Sequence, residues 1–184
     1  MAARRAPPPL DEQSLGELAL RYAGRFATSR AKLCAYLRRK IRERGWVGER
    51  PAEIEAIADR FADLGYVDDP GYALARSRAL TGRGYGKRRV VEALRAAGIE
   101  EADSEAAREH ADAEAVGAAL RFARRRRIGP FAASVVKDPK EREKALAAMV
   151  RAGHGFGLSK AILNLTPGSQ IDPDELAEQV VASA

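Results

Sequence analysis

Apolar residues recur three and four apart along most of this chain, the spacing of helices that bury one face. Leu15, Leu18, Tyr22 and Phe26 make the first stripe, Leu33, Leu37 and Ile41 the second, and Ile54, Ile57, Phe61 and Leu64 the third. The first helix is expected to start near Asp11 to Ser14, where Ser14 and Glu17 have capping-box spacing. Thr28-Ser29 opens the second and Gly45 closes it; Pro51 precedes the third and Gly65 ends it. Asp-Pro recurs at 69–70, 138–139 and 172–173. There Asp is expected to cap a helix, and Pro to take the first helical position, where its missing N–H costs nothing. A fourth helix is expected to about Thr81, a fifth over about Gly86–Ala97, and a long sixth over about Ser104–Arg127 with Ala113, Val116, Leu120 and Ala123 inward. Three more, near 139–152, 157–165 and 173–183, bring the total to nine, after a Gly-Pro loop at 128–137. No stretch alternates, and Ser134-Val135-Val136 is too short for a strand. The expected class is all-α.

The chain also repeats itself. Gly82-Arg83-Gly84-Tyr85-Gly86-Lys87-Arg88-Arg89 and the helix after it match Gly153-His154-Gly155-Phe156-Gly157-Leu158-Ser159-Lys160 and its helix. A looser copy starts at Ser29, aligning Lys32 with Arg89 and Lys160, and Leu37 with Leu94 and Leu165. The expected unit is a helix, a tight turn and two more helices, each unit covering its neighbour's open face. This gives a disordered tail over 1–10 and three-helix repeats over 11–66, 67–128 and 138–184. Glycines in the turns would reverse the chain through positive φ, with the aromatic plugging the junction.

Composition narrows the chemistry. Hydrophobic residues make up 46% but aromatics only 6%, so Ala, Leu, Val and Ile must fill thin helical layers. The single cysteine, Cys34, permits no internal disulfide, reads as buried and inert, and with two distant histidines leaves no zinc-ligand spacing. The charged N-terminus lacks the apolar core of a secretory signal, and no apolar run approaches the ~20 residues of a membrane span. The expectation is a cytoplasmic monomer without cofactor or metal. Asp68 and Asp69 are better explained by capping than by catalysis, Trp46 by stapling its helix, and no nucleophile–base pair stands out, so an enzyme is not expected. Gly86-Lys87 is followed by Arg88, not Ser or Thr, which excludes a phosphate loop.

Charge carries the functional signal. The net charge is +6, but residues 25–50 balance to +7, 51–75 to −5, 76–99 to +6, 100–120 to −6 and 121–136 to +5. The surface is therefore bipolar. Candidate contacts are Arg30, Lys32, Arg38 and Arg39 on the second helix, Arg83, Lys87, Arg88 and Arg89 at the fifth, and Arg124, Arg125, Arg126 and Arg127 ending the sixth. Basic residues at a helix C-terminus suit its dipole. Lys87, Arg88 and Arg89 stand at an N-terminus, where the dipole opposes them, and a polyanion or acidic surface would compensate.

Leu64-Gly65-Tyr66-Val67-Asp68-Asp69, Tyr72-Ala73, Gly82-Arg83-Gly84 and the run from Arg89 through Leu94-Arg95 to Gly98-Ile99 together resemble the central motif of the RecX family. Tyr36-Leu37-Arg38-Arg39-Lys40 to Gly45-Trp46 resembles that family's first repeat. Gly65, Tyr66, Asp68, Asp69, Gly84 and Gly86 are the motif positions. Tyr72 stands where the family's usual aromatic is Phe. The resemblance implies three tandem three-helix repeats in an extended, curved body. It also implies docking into the RecA–DNA filament and inhibition of recombinase and ATPase activity, with weak, non-specific affinity for single- and double-stranded DNA. The residues by themselves leave open a stand-alone, sequence-nonspecific DNA-binding module.

Overall fold

The computed structural model describes residues 7–182, with side chains through Gln179. It is all-helical: α1 Glu12–Ala23, α2 Arg30–Arg44, α3 Ile54–Asp63, α4 Asp69–Gly82, α5 Lys87–Ala96, α6 Glu105–Ala113, α7 Ala115–Arg126, α8 Pro139–Arg151, α9 Phe156–Asn164 and α10 Pro173–Ala182. Short 3-10 turns precede α6 and follow α7. Among the described residues the one extended pairing is a bridge between Leu10 and Trp46, and no helix is long and apolar enough to cross a membrane. The described residues divide into two compact units, 7–72 with 97–100, and 73–96 with 101–182.

In the first unit α1, α2 and α3 bury Leu15, Ala19, Leu33, Leu37, Ile54, Ala58 and Phe61. Of the expected tail, residues 1–6 lie outside the described residues. Its last residue, Leu10, is fully buried in this core. Leu10 N–H donates to the Gly45 carbonyl at 3.0 Å, and Leu10 O accepts from Val47 N–H at 2.9 Å. The reason lies in the cap, which sits a turn earlier than the Ser14–Glu17 spacing implies. Asp11 is the N-cap and accepts from Ser14 N–H, while Ser14 Oγ accepts from Asp11 N–H. Leu10 and Leu15 then occupy the two positions of a hydrophobic staple, and both are buried.

In the second unit Ala119, Phe122 and Ala123 of α7 meet Met149 of α8, Leu158, Ile162 and Leu163 of α9 and Leu176 of α10. The expected long sixth helix is broken at Glu114 (φ −86°, ψ 3°) into α6 and α7. The two halves serve different neighbours. α6 packs on α5, and its Ala107 carbonyl accepts from Ser77 Oγ of α4 at 2.8 Å, whereas α7 packs on α8, α9 and α10. One straight helix could not point its alanines at both. Asp138 and Asp172 cap α8 and α10 as expected, accepting from Lys140 and Asp174 N–H. The 128–137 loop begins as an ordered turn: Gly129 and Pro130 are buried, and Pro130 O accepts from Gly168 N–H at 2.9 Å.

Leu37 in the first unit is fully buried and Leu94 in the second is 2% exposed. Truncating either to alanine is expected to cost ~2–5 kcal/mol, the range for large-to-small core changes. Thermal melts that leave both variants at the wild-type midpoint would show that these positions do not carry the core.

Candidate partner and polyanion surface

The Gly65-Tyr66-Val67-Asp68-Asp69 segment is a helix stop followed by a helix start. Gly65 (φ 74°) ends α3, and the N–H groups of Tyr66 and Val67 both donate to the Phe61 carbonyl. Tyr66 leans on Phe61 with centroids 5.5 Å apart and remains half-exposed. Asp68 takes the cap expected of Asp69: its Oδ1 accepts from Gly71 N–H at 2.9 Å. Asp69, now inside α4 and buried, instead accepts from Arg30 N–H at 2.9 Å. A carboxylate thus sits at the N-terminus of α2, where the helix dipole favours it. Ser29 caps the same helix through Lys32 N–H, and its hydroxyl donates to Ala97 O at 2.6 Å.

In the second unit the two Gly-rich turns meet directly. Gly86 N–H donates to Ala152 O at 2.9 Å, and Arg88 N–H donates to Gly153 O at 3.2 Å. A Cβ on Gly86 would stand 2.3 Å from Gly153 O, and one on Gly153 would stand 2.5 Å from Arg89 N. Positive φ explains Gly84 (80°) and Gly153 (95°), as expected, whereas Gly86 answers to close backbone approach. The plug also differs. Tyr85 packs on the core, but its counterpart Phe156 is 58% exposed, and His154 fills the junction at 2% exposure. His154 Nε2 lies 3.1 Å from Gly84 O. A carbonyl only accepts, so Nε2 carries the proton.

Burial pushes the His154 pKa below its ordinary 6.5, with the bond to Gly84 opposing the shift. A depressed folded-state pKa makes this contribution to stability complete above about 6.5 and lost as pH falls toward the folded value. The carboxylates of Asp11 and Glu43 are held below their ordinary 3.8 and 4.5 by hydrogen bonds from Ser14 and Lys40, so they titrate below this window. The melting midpoint is expected to fall between pH 7.5 and 5.5, and to fall less in His154→Gln. Equal slopes in the two proteins would contradict this role.

The candidate cations are exposed, and most have local partners. On α2, Arg30 pairs with Asp59 and Arg38 with Glu55, Arg39 lies 3.5 Å from Glu43, and Lys32 sits over the Tyr72 ring at 4.8 Å. On α5, Lys87 pairs with Asp112 at 2.5 Å and Arg89 with Glu92 at 3.1 Å. The opposing dipole is thus partly answered within the unit, by these acids and by the Gly153 carbonyl. Arg88 has no acidic partner among the described residues. Arg125 Nη1 donates to Arg83 O at 2.6 Å, which brings the end of α7 to the turn that opens α5. Arg124 lies over Phe131 at 5.0 Å, and Arg125 and Arg126 flank Phe122 at 5.5 and 5.9 Å. Arg127 adopts the left-handed region (φ 55°), the one non-glycine residue to do so among those described.

Cys34 is buried, and burial raises its thiol pKa. No group of three or more metal-ligating side chains occurs among the described residues. Phe26, read from its spacing as part of a buried stripe, is half-exposed; the glycine two residues before it, which ends α1, was the signal that the stripe stops short.

No protein-family model matches the chain. Over 168 residues, 88% of this chain and 90% of the relative, it is 28% identical to a protein named Regulatory protein RecX from Myxococcus xanthus. Over 97 residues, 52% of this chain and 51% of the relative, it is 36% identical to Regulatory protein RecX from Mycobacterium sp. strain KMS.

Proposed function

Because the chain belongs to the RecX family, we propose that it regulates a RecA-type recombinase by binding the RecA–DNA filament and inhibiting its ATPase and strand exchange. The carrying observation is the cationic surface of the second unit. Arg83, Lys87, Arg88 and Arg89 project from the turn and first turn of α5, and Arg125 ties the end of α7 to that turn. Arg127, exposed at the C-cap of α7, adds to the same positive charge. The acidic partners of Lys87 and Arg89 are themselves exposed, so the surface alternates in sign, as a partner made of protein and DNA requires.

In this reading the three Gly-rich or Ser-led starts, at Ser29, Gly86 and Gly157, belong to three tandem three-helix repeats, and the protein acts as a monomer. Arg30, Lys32, Arg38 and Arg39 form the corresponding contact set of the first repeat. The relatives are named as regulatory proteins, and no catalytic step is assigned. The test is retention of the protein on RecA–single-strand filaments against bare DNA and free RecA. Retention by filaments well above both controls is expected; equal retention on bare DNA would replace this reading with simple DNA binding.

A further inference from the structure

We propose that the pocket between the start of α1, the α2–α3 connection and α3 binds a free α-amino acid with a large apolar side chain. The side chain enters against Leu15, Trp46 and Ile57, the α-ammonium pairs with Glu12 and Glu53, and the α-carboxylate pairs with Arg50 and Arg60. This goes beyond the filament reading and does not depend on it.

The pocket has a volume of about 200 Å³. An apolar cavity of roughly 150 Å³ accepts benzene, and drug-sized ligands need about 300–1,000 Å³. The space therefore suits one side chain the size of leucine or phenylalanine. Its apolar lining is set by the core: Leu15 is fully buried, and Trp46 and Ile57 pack against the first unit's cluster. Trp46 is fixed from two sides. Its backbone bridges to Leu10, and its Nε1 donates to the Arg50 carbonyl at 2.8 Å. With that N–H engaged, the ring has only apolar surface to offer a ligand. A Cβ on Gly48 would stand 2.5 Å from Trp46 Cζ2 and 2.6 Å from Glu12 Oε1, so the indole and the Glu12 carboxylate sit side by side. The lining is thus formed in advance, and binding costs little ordering.

The charges around this lining select the ligand. Glu12, Arg50, Glu53 and Arg60 all border the pocket and are exposed. None of their side chains makes an ion pair or hydrogen bond among the described residues, although α2 and α3 pair Arg30 with Asp59 and Arg38 with Glu55. Glu53 even occupies the N-cap of α3 without making a capping bond. A phosphate or polyanion here would meet two carboxylates, and a simple cation would meet two guanidinium groups. A neutral apolar ligand would cover these charges without pairing them, which is unfavourable. A zwitterion with an apolar side chain fills the lining and gives both signs a charge-assisted partner.

Trp46 is the single tryptophan of the chain, so its fluorescence reports this pocket directly. The full chain should be titrated at neutral pH with L-leucine, with leucinamide, which lacks the carboxylate, and with isocaproate, which lacks the ammonium. Glycine, which lacks the side chain, and N-acetyl-leucinamide, which mimics a leucine inside a peptide, complete the set. L-leucine is expected to give a saturable change. Leucinamide and isocaproate should each bind at least about tenfold more weakly, because each loses a charge-assisted pair, and glycine should not saturate. Glu12→Gln with Glu53→Gln, and Arg50→Gln with Arg60→Gln, should each weaken L-leucine at least about tenfold without moving the melting midpoint, since these side chains are exposed and unpaired. The glutamate pair of changes should spare isocaproate, a selectivity that a merely structural role would not produce. No saturable response to L-leucine, equal affinity for leucine and its two singly charged analogues, or folded double variants that bind leucine as wild type does would overturn the proposal. N-acetyl-leucinamide binding as tightly as leucine would also overturn it, and would make the pocket an anchor point for a partner's side chain instead.

Discussion

Gly86→Ala is expected to be among the most damaging single substitutions in the second unit. The new methyl would stand 2.3 Å from the Gly153 carbonyl oxygen, which is backbone and cannot swing away as a side chain would. Overpacking of this kind costs ~1–3 kcal/mol. The forced separation also threatens two backbone hydrogen bonds between the turns, Gly86 to Ala152 and Arg88 to Gly153, each worth ~1 kcal/mol. A total near ~3 kcal/mol should lower the melting midpoint by roughly 10 °C or more for a body of this size. The same turn contains its control. Gly82 is the last residue of α4, and a Cβ there would meet nothing within 4 Å. Gly82→Ala should be neutral or stabilising by up to ~1 kcal/mol, since alanine is the better helix former. Equal melting midpoints for the Gly86 and Gly82 variants would show that the two turns do not meet as described.

The second large effect is functional. Replacing Lys87, Arg88 and Arg89 together by Glu is expected to weaken filament binding and ATPase inhibition at least about tenfold, because like charges set against a polyanion cost several kcal/mol. The fold should survive. The substitutions break the pairs with Asp112 and Glu92, but pairs this exposed are worth at most ~1 kcal/mol each, and three carboxylates in the first turn of α5 suit its dipole. Circular dichroism and a melt serve as the folding check. A folded triple variant that inhibits as strongly as wild type would remove this turn from the contact surface.

The helices were legible in the sequence because apolar spacing, Gly stops and Asp-Pro starts are local signals. Ser29, Gly45 and Asp138 act as read. What spacing could not supply was set by partners distant in sequence. The break at Glu114 answers to neighbours on both sides of α6 and α7, while every residue from Ser104 to Arg127 is compatible with one helix. Asp68 and Asp69 read alike as caps, yet Asp69 faces Arg30, which lies 39 residues earlier. Gly86 looked like a hinge, and its reason is a carbonyl from the 153 turn. His154, aligned with an exposed arginine, fills the space that the repeat assigned to Phe156. The basic residues were legible as charge, but their acidic partners were not, since Asp59, Glu55 and Asp112 come from other helices.

The most direct measurement of the central claim is the steady-state ATPase rate of the RecA of the same organism on single-stranded DNA, titrated with the wild-type protein. The expected result is a rate that falls toward zero as the protein approaches stoichiometry with RecA, at strand concentrations where bare-DNA binding is too weak to sequester the substrate. An ATPase rate unchanged by saturating protein would contradict the assignment as a RecA regulator.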